Sequence, residues 1–177
     1  MEKRMSKANK TKLSIKEREA DGGSVLVVRI RGRSTTHHRA ERTLLLFNLS
    51  RVHHAALLPN NIQVRGMIEE AVDYITFGKP SLKTVEDLVS KVGKTEQGDA
   101  LTEDYLKKAK VAASMKEFAA ELHSGKLVLS HVKSVKPIFR LKPAKGGFGS
   151  IKAKYPKGAL GKRDTAGIDK LVEAMLK

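Results

Sequence analysis

Six arginines, Arg29, Arg31, Arg33, Arg39, Arg42 and Arg51, stand between residues 24 and 58 against the single acid Glu41. A guanidinium presents a planar fork of donors that matches a phosphate and stacks on bases, whereas a lysine is a hydrated point charge. From Leu122 to Arg163 a further eleven Lys and Arg follow without one Asp or Glu. Residues 143–163, at the end of that run, also hold five of the fourteen glycines and two of the five prolines. The two blocks predict a fixed, shape-reading arginine surface beside a flexible lysine arm that threads between phosphates. Phe148 and Tyr155 are the arm's candidates for stacking on a base or docking into a pocket.

Elsewhere the charge is ordinary. Residues 1–19 carry seven basic and three acidic side chains, and residues 59–121 nine basic and eleven acidic. The chain of 177 residues has 35 Lys and Arg against 19 Asp and Glu, a formal net charge of +16. A segregated single-sign field costs self-repulsion unless a polyanion neutralises it, and nucleic acid is the first candidate. Aromatic residues make up only 5%, with no Trp, which disfavours a single-strand binder built on stacking platforms. Folded, helical RNA read by shape and backbone fits better.

Other chemistries find little support. His37-His38 and His53-His54 are adjacent pairs, and neighbours in a strand point to opposite faces, so neither pair chelates one metal easily. The glycine-rich runs at 146–149 and 158–162 lack the spacing of a phosphate-binding loop or a dinucleotide fingerprint. The acid pairs Glu69-Glu70, Glu86-Asp87 and Glu103-Asp104 fall on exposed helix starts and faces, without the buried partner that acid–base catalysis needs. With no cysteine, thiol catalysis, disulfides and cysteine zinc sites are excluded. No catalytic residue, metal, cofactor or small-molecule substrate is expected. Without a signal-like apolar core near the start or a run of ~20 apolar residues, a soluble cytoplasmic protein with no membrane partner is expected.

The elements that must hold these groups follow from periodicity. Residues 24–31 alternate Leu26, Val28 and Ile30 with Val27, Arg29 and Arg31, the pattern of a strand with one buried face. A polar loop, 33–38, leads into a helix with Leu45, Leu46 and Leu49 at helical spacing, and residues 52–59 form a second strand, able to lie parallel to the first. Asn60 or Asn61 can cap the next helix, in which Val64, Met67, Ile68, Ala71, Val72 and Ile75 step by three and four. Leu45, Leu49, Met67, Ile68 and Val72 are assigned to the core. The organisation expected is a basic N-terminal extension (1–22), a βαβα core (23–78), a helical insert (79–125), a last strand region (126–142), a basic Gly/Pro arm ordering on its ligand (143–163), and a C-terminal amphipathic helix (164–177). The fold class is α+β, a small ferredoxin-like sandwich with two helices on one face of its sheet.

The runs VVRIRG at 27–32, ERTLLLFNLSRVHHAALLP at 41–59, VRGMIEEAVDYITFGKP at 64–80, LTEDYLKK at 101–108 and KPIFRLKPAKGGF at 136–148 resemble the L thirty / L seven family of large-subunit ribosomal proteins. The likeness covers 24–177, and the insert with its GGF arm and GALGKR tail looks like the archaeal form. Phe77 stands where the family usually has Trp. The resemblance implies a non-enzymatic structural component of the 50S subunit that binds 23S rRNA, located in cytoplasmic ribosomes, with 5S rRNA and neighbouring large-subunit proteins as further partners. Carried onto this sequence, its RNA contacts would be Arg29, Arg31, Arg33, Arg39, Arg42, Arg51, His53, Asn61 and Arg65, then Arg140, Lys142, Lys145, Lys152, Lys154 and Lys157. The loop histidines His37 and His38 and the arm's Phe148 complete the candidate set. The competing readings are a free-standing RNA chaperone or regulatory RNA-binding protein, and an RNA-processing enzyme.

Overall fold

A computed structural model describes residues 22–34, 36–108, 111–112, 114–132 and 135–177, the side chains of residues 107 and 108 excepted. The basic extension expected over 1–22 therefore lies outside the described residues, apart from Gly22.

Strand β1, Ser24–Arg29, is buried at all six positions. The continuous run Val25-Leu26-Val27-Val28 explains this, because a strand covered on both faces needs apolar side chains on both. Leu26, Val28 and Ile30 enter one core, and Val25 and Val27 enter a second on the opposite face. The sheet is thus covered on two sides, not on the one side that the alternation predicts.

β1 lies between β2, His54–Pro59, and β3, Ile75–Gly78, antiparallel to both. The expected parallel pairing of the first two strands is therefore corrected. Helix α1, His38–Leu46, has only nine residues, and the turn after it brings the chain back to the end of the sheet it left. Asn48 and His53 in that turn have φ of 59° and 65°, the left-handed region that lets short segments reverse.

The second helix, α2, runs only over Ile62–Ala71, and Ile75 belongs to β3 instead. Ile75, Thr76 and Phe77 are β-branched or aromatic, and pairing them supplies partners for the free edge of β1. The three- and four-residue steps at Val72 and Ile75 continue past the helix by coincidence. On α1 the buried face is Ala40, Thr43 and Leu44, followed by Phe47 and Leu49, while Leu45 and Leu46 are 55% and 65% exposed. Leu45 is thus not core: in the triple leucine the inward position is Leu44. Leu49 and Ile68 are buried, and Met67 and Val72 are half-buried.

The second layer is built from α3, Leu82–Val92; α4, Glu103–Lys108; α5, Met115–Ser124; and α6, Thr165–Leu176. Ser81 and Ser114 accept hydrogen bonds from the backbone N–H of Thr84 and Glu117, and Gly125, at φ 75°, ends α5. Val85, Leu88 and Val89 of α3 pack with Phe118, Ala119 and Leu122 of α5 and with Ile168, Val172 and Met175 of α6. Asp169 of α6 accepts from Ser81 N at 3.1 Å and Thr84 Oγ1 at 2.8 Å, tying α6 to the start of α3. The segment read as an insert therefore forms a wall of the larger core.

A short β4, Phe139–Arg140, pairs with β2. Beyond it the basic arm is not an extended tail: it contains β5, Ser150–Lys154, and β6, Gly158–Lys162, and the sheet order is β4-β2-β1-β3-β6-β5. β6 runs parallel to β3, with Thr76 opposite Gly161 and Phe77 opposite Lys162. Ala159 and Leu160 are each 1% exposed. Once Ile75–Gly78 is a strand it has an open edge, and the small apolar run at 158–161 fits there.

Candidate nucleic-acid interface

The strand register brings the arginines to one end of the sheet. Arg29 lies opposite Ile75, Val28 opposite Ala55, and His54 opposite Arg140. The loop leaving β1, the turn entering β2 and the loop leaving β4 therefore emerge side by side.

At this end Arg31 lies over the Tyr74 ring at 5.1 Å and donates through Nη1 to the Asp73 carbonyl at 3.2 Å. Arg33 holds Glu41 through Nε at 2.5 Å, with its own side chain 76% exposed. His37, His38, Arg39, Arg42 and Arg51 are exposed, and the His37 ring accepts weakly from Arg39 N at 3.4 Å to cap α1. Arg140, Lys142 and Lys145 are also exposed. The backbone N–H groups of Lys142 and Lys145 donate to the carbonyls of Met175 and Ala174, so this loop is fastened to the end of α6. His53 stacks on Phe148, ring centroids 5.5 Å apart and planes 14° from parallel. Phe148 thus uses one face within the protein, and Tyr155 carries the Arg163 guanidinium 4.9 Å from its ring.

Not every candidate joins this group. Arg29 is only 2% exposed, and its Nε and Nη1 donate to the carbonyls of Arg31 at 2.9 Å, Leu49 at 2.6 Å and Ser50 at 3.2 Å. It is a tether inside the fold and not an outward contact, because the second buried face of β1 encloses it. Asn61 and Arg65 lie at the opposite end, where Ser24 faces Pro59, and Arg65 Nε donates to Asn60 Oδ1 at 2.7 Å. Asn61 precedes α2 without a side-chain cap bond. Asn60 and Arg65 line a depression there with Phe77, Lys79 and Lys162. Neither Lys79 nor Lys162 is in the sequence-derived set: Lys162 reaches that depression through its pairing with Phe77, which periodicity does not reveal. Lys152, Lys154 and Lys157 are exposed on β5 and the turn after it, and Lys154 approaches Asp73 at 3.6 Å, which links β5 to the arginine end.

Two histidines under this surface are biased toward the neutral form. Burial keeps the His53 imidazole below its ordinary pKa; burial does the same for His54, helped by the charge of Arg140. Nδ1 of each is buried without a hydrogen-bond partner among the described residues. A depressed folded pKa means that the unfolded chain takes up the proton first as pH falls. Stability is therefore expected to be full above pH ~6.5 and to decline below it, at no more than about 1.4 kcal/mol per pH unit per proton withheld. Thermal melts from pH 7.5 down to about 5 check this: His54→Gln should flatten the slope, and an unchanged slope would exclude His54 as its source.

Among the described residues no group of three or more His, Asp or Glu is placed to hold a metal ion, and no helix is long and apolar enough to cross a membrane. The family model for ribosomal protein L30p/L7e matches residues 25–75, from β1 to the start of β3. A protein of Thermofilum pendens named "Large ribosomal subunit protein uL30" is 38% identical over 154 residues, covering 85% of this chain and 97% of the relative. The chain belongs to this family. A second relative of that name, from Archaeoglobus fulgidus, is 33% identical over 135 residues, covering 76% of this chain and 89% of its own length. The L30p/L7e family consists of structural ribosomal proteins and not enzymes.

Proposed function

We propose that the protein is a structural component of the large ribosomal subunit that binds 23S rRNA with the arginine end of its sheet. The observation that carries this reading is the convergence there of Arg31, Arg33, Arg39, Arg42, Arg51, Arg140, Lys142 and Lys145 from three separate chain segments. Among the described residues, the acids Glu41 and Asp73 are paired with Arg33 and Lys154. A rigid sheet end with exposed guanidiniums suits the fixed phosphate positions of folded RNA, and side chains held by strands and a fastened loop lose less entropy on binding than a free tail. Ribosomal RNA and neighbouring large-subunit proteins are its partners, 5S rRNA is a further candidate, and its place is the cytoplasmic ribosome. Sedimentation of a cell lysate tests the reading. The protein should travel with large subunits and leave them at high salt; recovery only in light, free fractions would end the assignment.

A further inference from the structure

Arg29 presents an electrostatic problem that the fold alone leaves unsolved. Its guanidinium is buried, three carbonyl oxygens accept from Nε and Nη1, and Nη2 has no partner among the described residues. Carbonyl dipoles orient the cation but do not neutralise it, and an uncompensated charge withdrawn from water is costly. Glu41, the acid whose field reaches Arg29, is already bound to Arg33. Beside Arg29 lies an open cleft lined by Arg33, Ser50, Arg51 and Val52. Arg51 is exposed at its rim, with no ion pair among the described residues. Arginines from two strand-end segments thus surround one concavity that contains no carboxylate lining.

We propose that this cleft seats a single phosphate group, with Arg51 and Arg33 as its direct donors and Arg29 as a fixed positive charge in its wall. The inference rests on the RNA-binding reading above and makes it specific: one backbone phosphodiester occupies a built site, while the other cations of the surface meet phosphates loosely. Tight phosphate sites favour arginine for its forked donors, and a charge held by three carbonyls needs no reorganisation when the anion arrives. The same chemistry would accept free inorganic phosphate, so the test has an arm for each source.

Two variants address the cleft while leaving the Arg29 side chain itself in place. Arg51→Gln removes a donor, and Ser50→Asp places a carboxylate where the phosphate would sit; Lys126→Gln, an exposed lysine after α5, is the control for charge change. In the first arm, binding of each protein to 23S rRNA from its own source organism is measured across a salt series. Both cleft variants are expected to lower the slope of log affinity against log salt by roughly 0.7–0.9 relative to the control, the signature of one lost phosphate. In the second arm, inorganic phosphate is expected to raise the melting temperature of the wild type above that in chloride of equal ionic strength, and Ser50→Asp should abolish the gain. Ser50→Asp should itself melt no lower than wild type, since its carboxylate offsets the Arg29 charge. A phosphate gain with unchanged RNA slopes would assign the cleft to the free ion and overturn the RNA part of the proposal. Wild-type binding to rRNA with neither a slope change nor a phosphate gain would overturn the whole proposal and leave the RNA reading standing. Failure of the wild type to bind rRNA would instead strike the RNA reading itself.

Discussion

Deleting residues 143–163 is expected to abolish the cooperative thermal transition rather than merely weaken RNA binding. The segment contains β6, whose register against β3 closes that side of the sheet, and its Ala159 and Leu160 lie in the larger core. Thr76 donates through Oγ1 to the Gly161 carbonyl at 3.1 Å, and Arg163 donates through Nε back to Thr76 Oγ1 at 3.0 Å. Without the segment these buried groups on β3 lose their partners, and α6 loses the short connection that places Ile168, Val172 and Met175 against the sheet. Even Leu160→Ala alone should cost about 2–5 kcal/mol, a large part of the roughly 5–15 kcal/mol available to a domain. Circular dichroism melts decide the matter. A sharp transition retained by the deletion variant would show that β6 is dispensable, and the arm would again be a tail. By contrast, replacing Lys152 and Lys157 with Ala should leave the melt within about 0.5 kcal/mol per site, because both are exposed.

The reason the arm is misread from sequence lies one strand earlier. Residues 143–163 hold six Lys and Arg with many Gly and Pro, a composition that signals an unpaired segment. Apart from Ala144, its buried residues are the run Gly158–Gly161, in which only Ala159 and Leu160 carry apolar side chains, too short a stretch for a periodic signature. What orders it is the open edge of β3, and β3 is itself hidden because Val72 and Ile75 extend the helical steps of α2. One unrecognised strand therefore conceals a second, together with the Lys79 and Lys162 pair at the far end of the sheet. The expected C-terminal amphipathic helix is more legible, since the buried Ile168, Leu171, Val172 and Met175 of α6 recur at steps of three and four residues. The candidate site divides in the same way. Residue type and segregation identify the cations, but Arg29 is the last residue of β1 and Arg31 lies two residues beyond it, and they differ in fate because sheet burial, not charge, decides which guanidinium reaches solvent. Asn61 and Arg65 are separated from the rest by the length of β2, which no count of charges by segment can register.

The remaining cations on the arginine end should account for most of the salt dependence of RNA binding. Arg39, Arg42, Arg140 and Lys142 are exposed and have no carboxylate partner among the described residues, so each is free to displace a counterion from a phosphate. Changing all four to Gln should reduce the slope of log affinity against log salt by roughly 0.7–0.9 for each phosphate lost, and should leave the melting transition nearly unmoved. The informative comparison is a second quadruple variant on the α3–α6 face, Lys83, Lys91, Lys170 and Lys177 to Gln. There Lys91 pairs with Asp87 at 2.9 Å and Lys177 with Glu173 at 2.7 Å, and Asp169 lies in the same groove. Acids interleaved with bases present a field close to neutral beyond the Debye length of about 8 Å at physiological salt, which gives a polyanion little reason to approach. The same number of positive charges is removed from each face, so a difference in slope reports location and not net charge. Equal losses would mean that the protein attracts RNA as a diffuse cation. A larger loss for the arginine end is the result that the convergence of its three loops predicts.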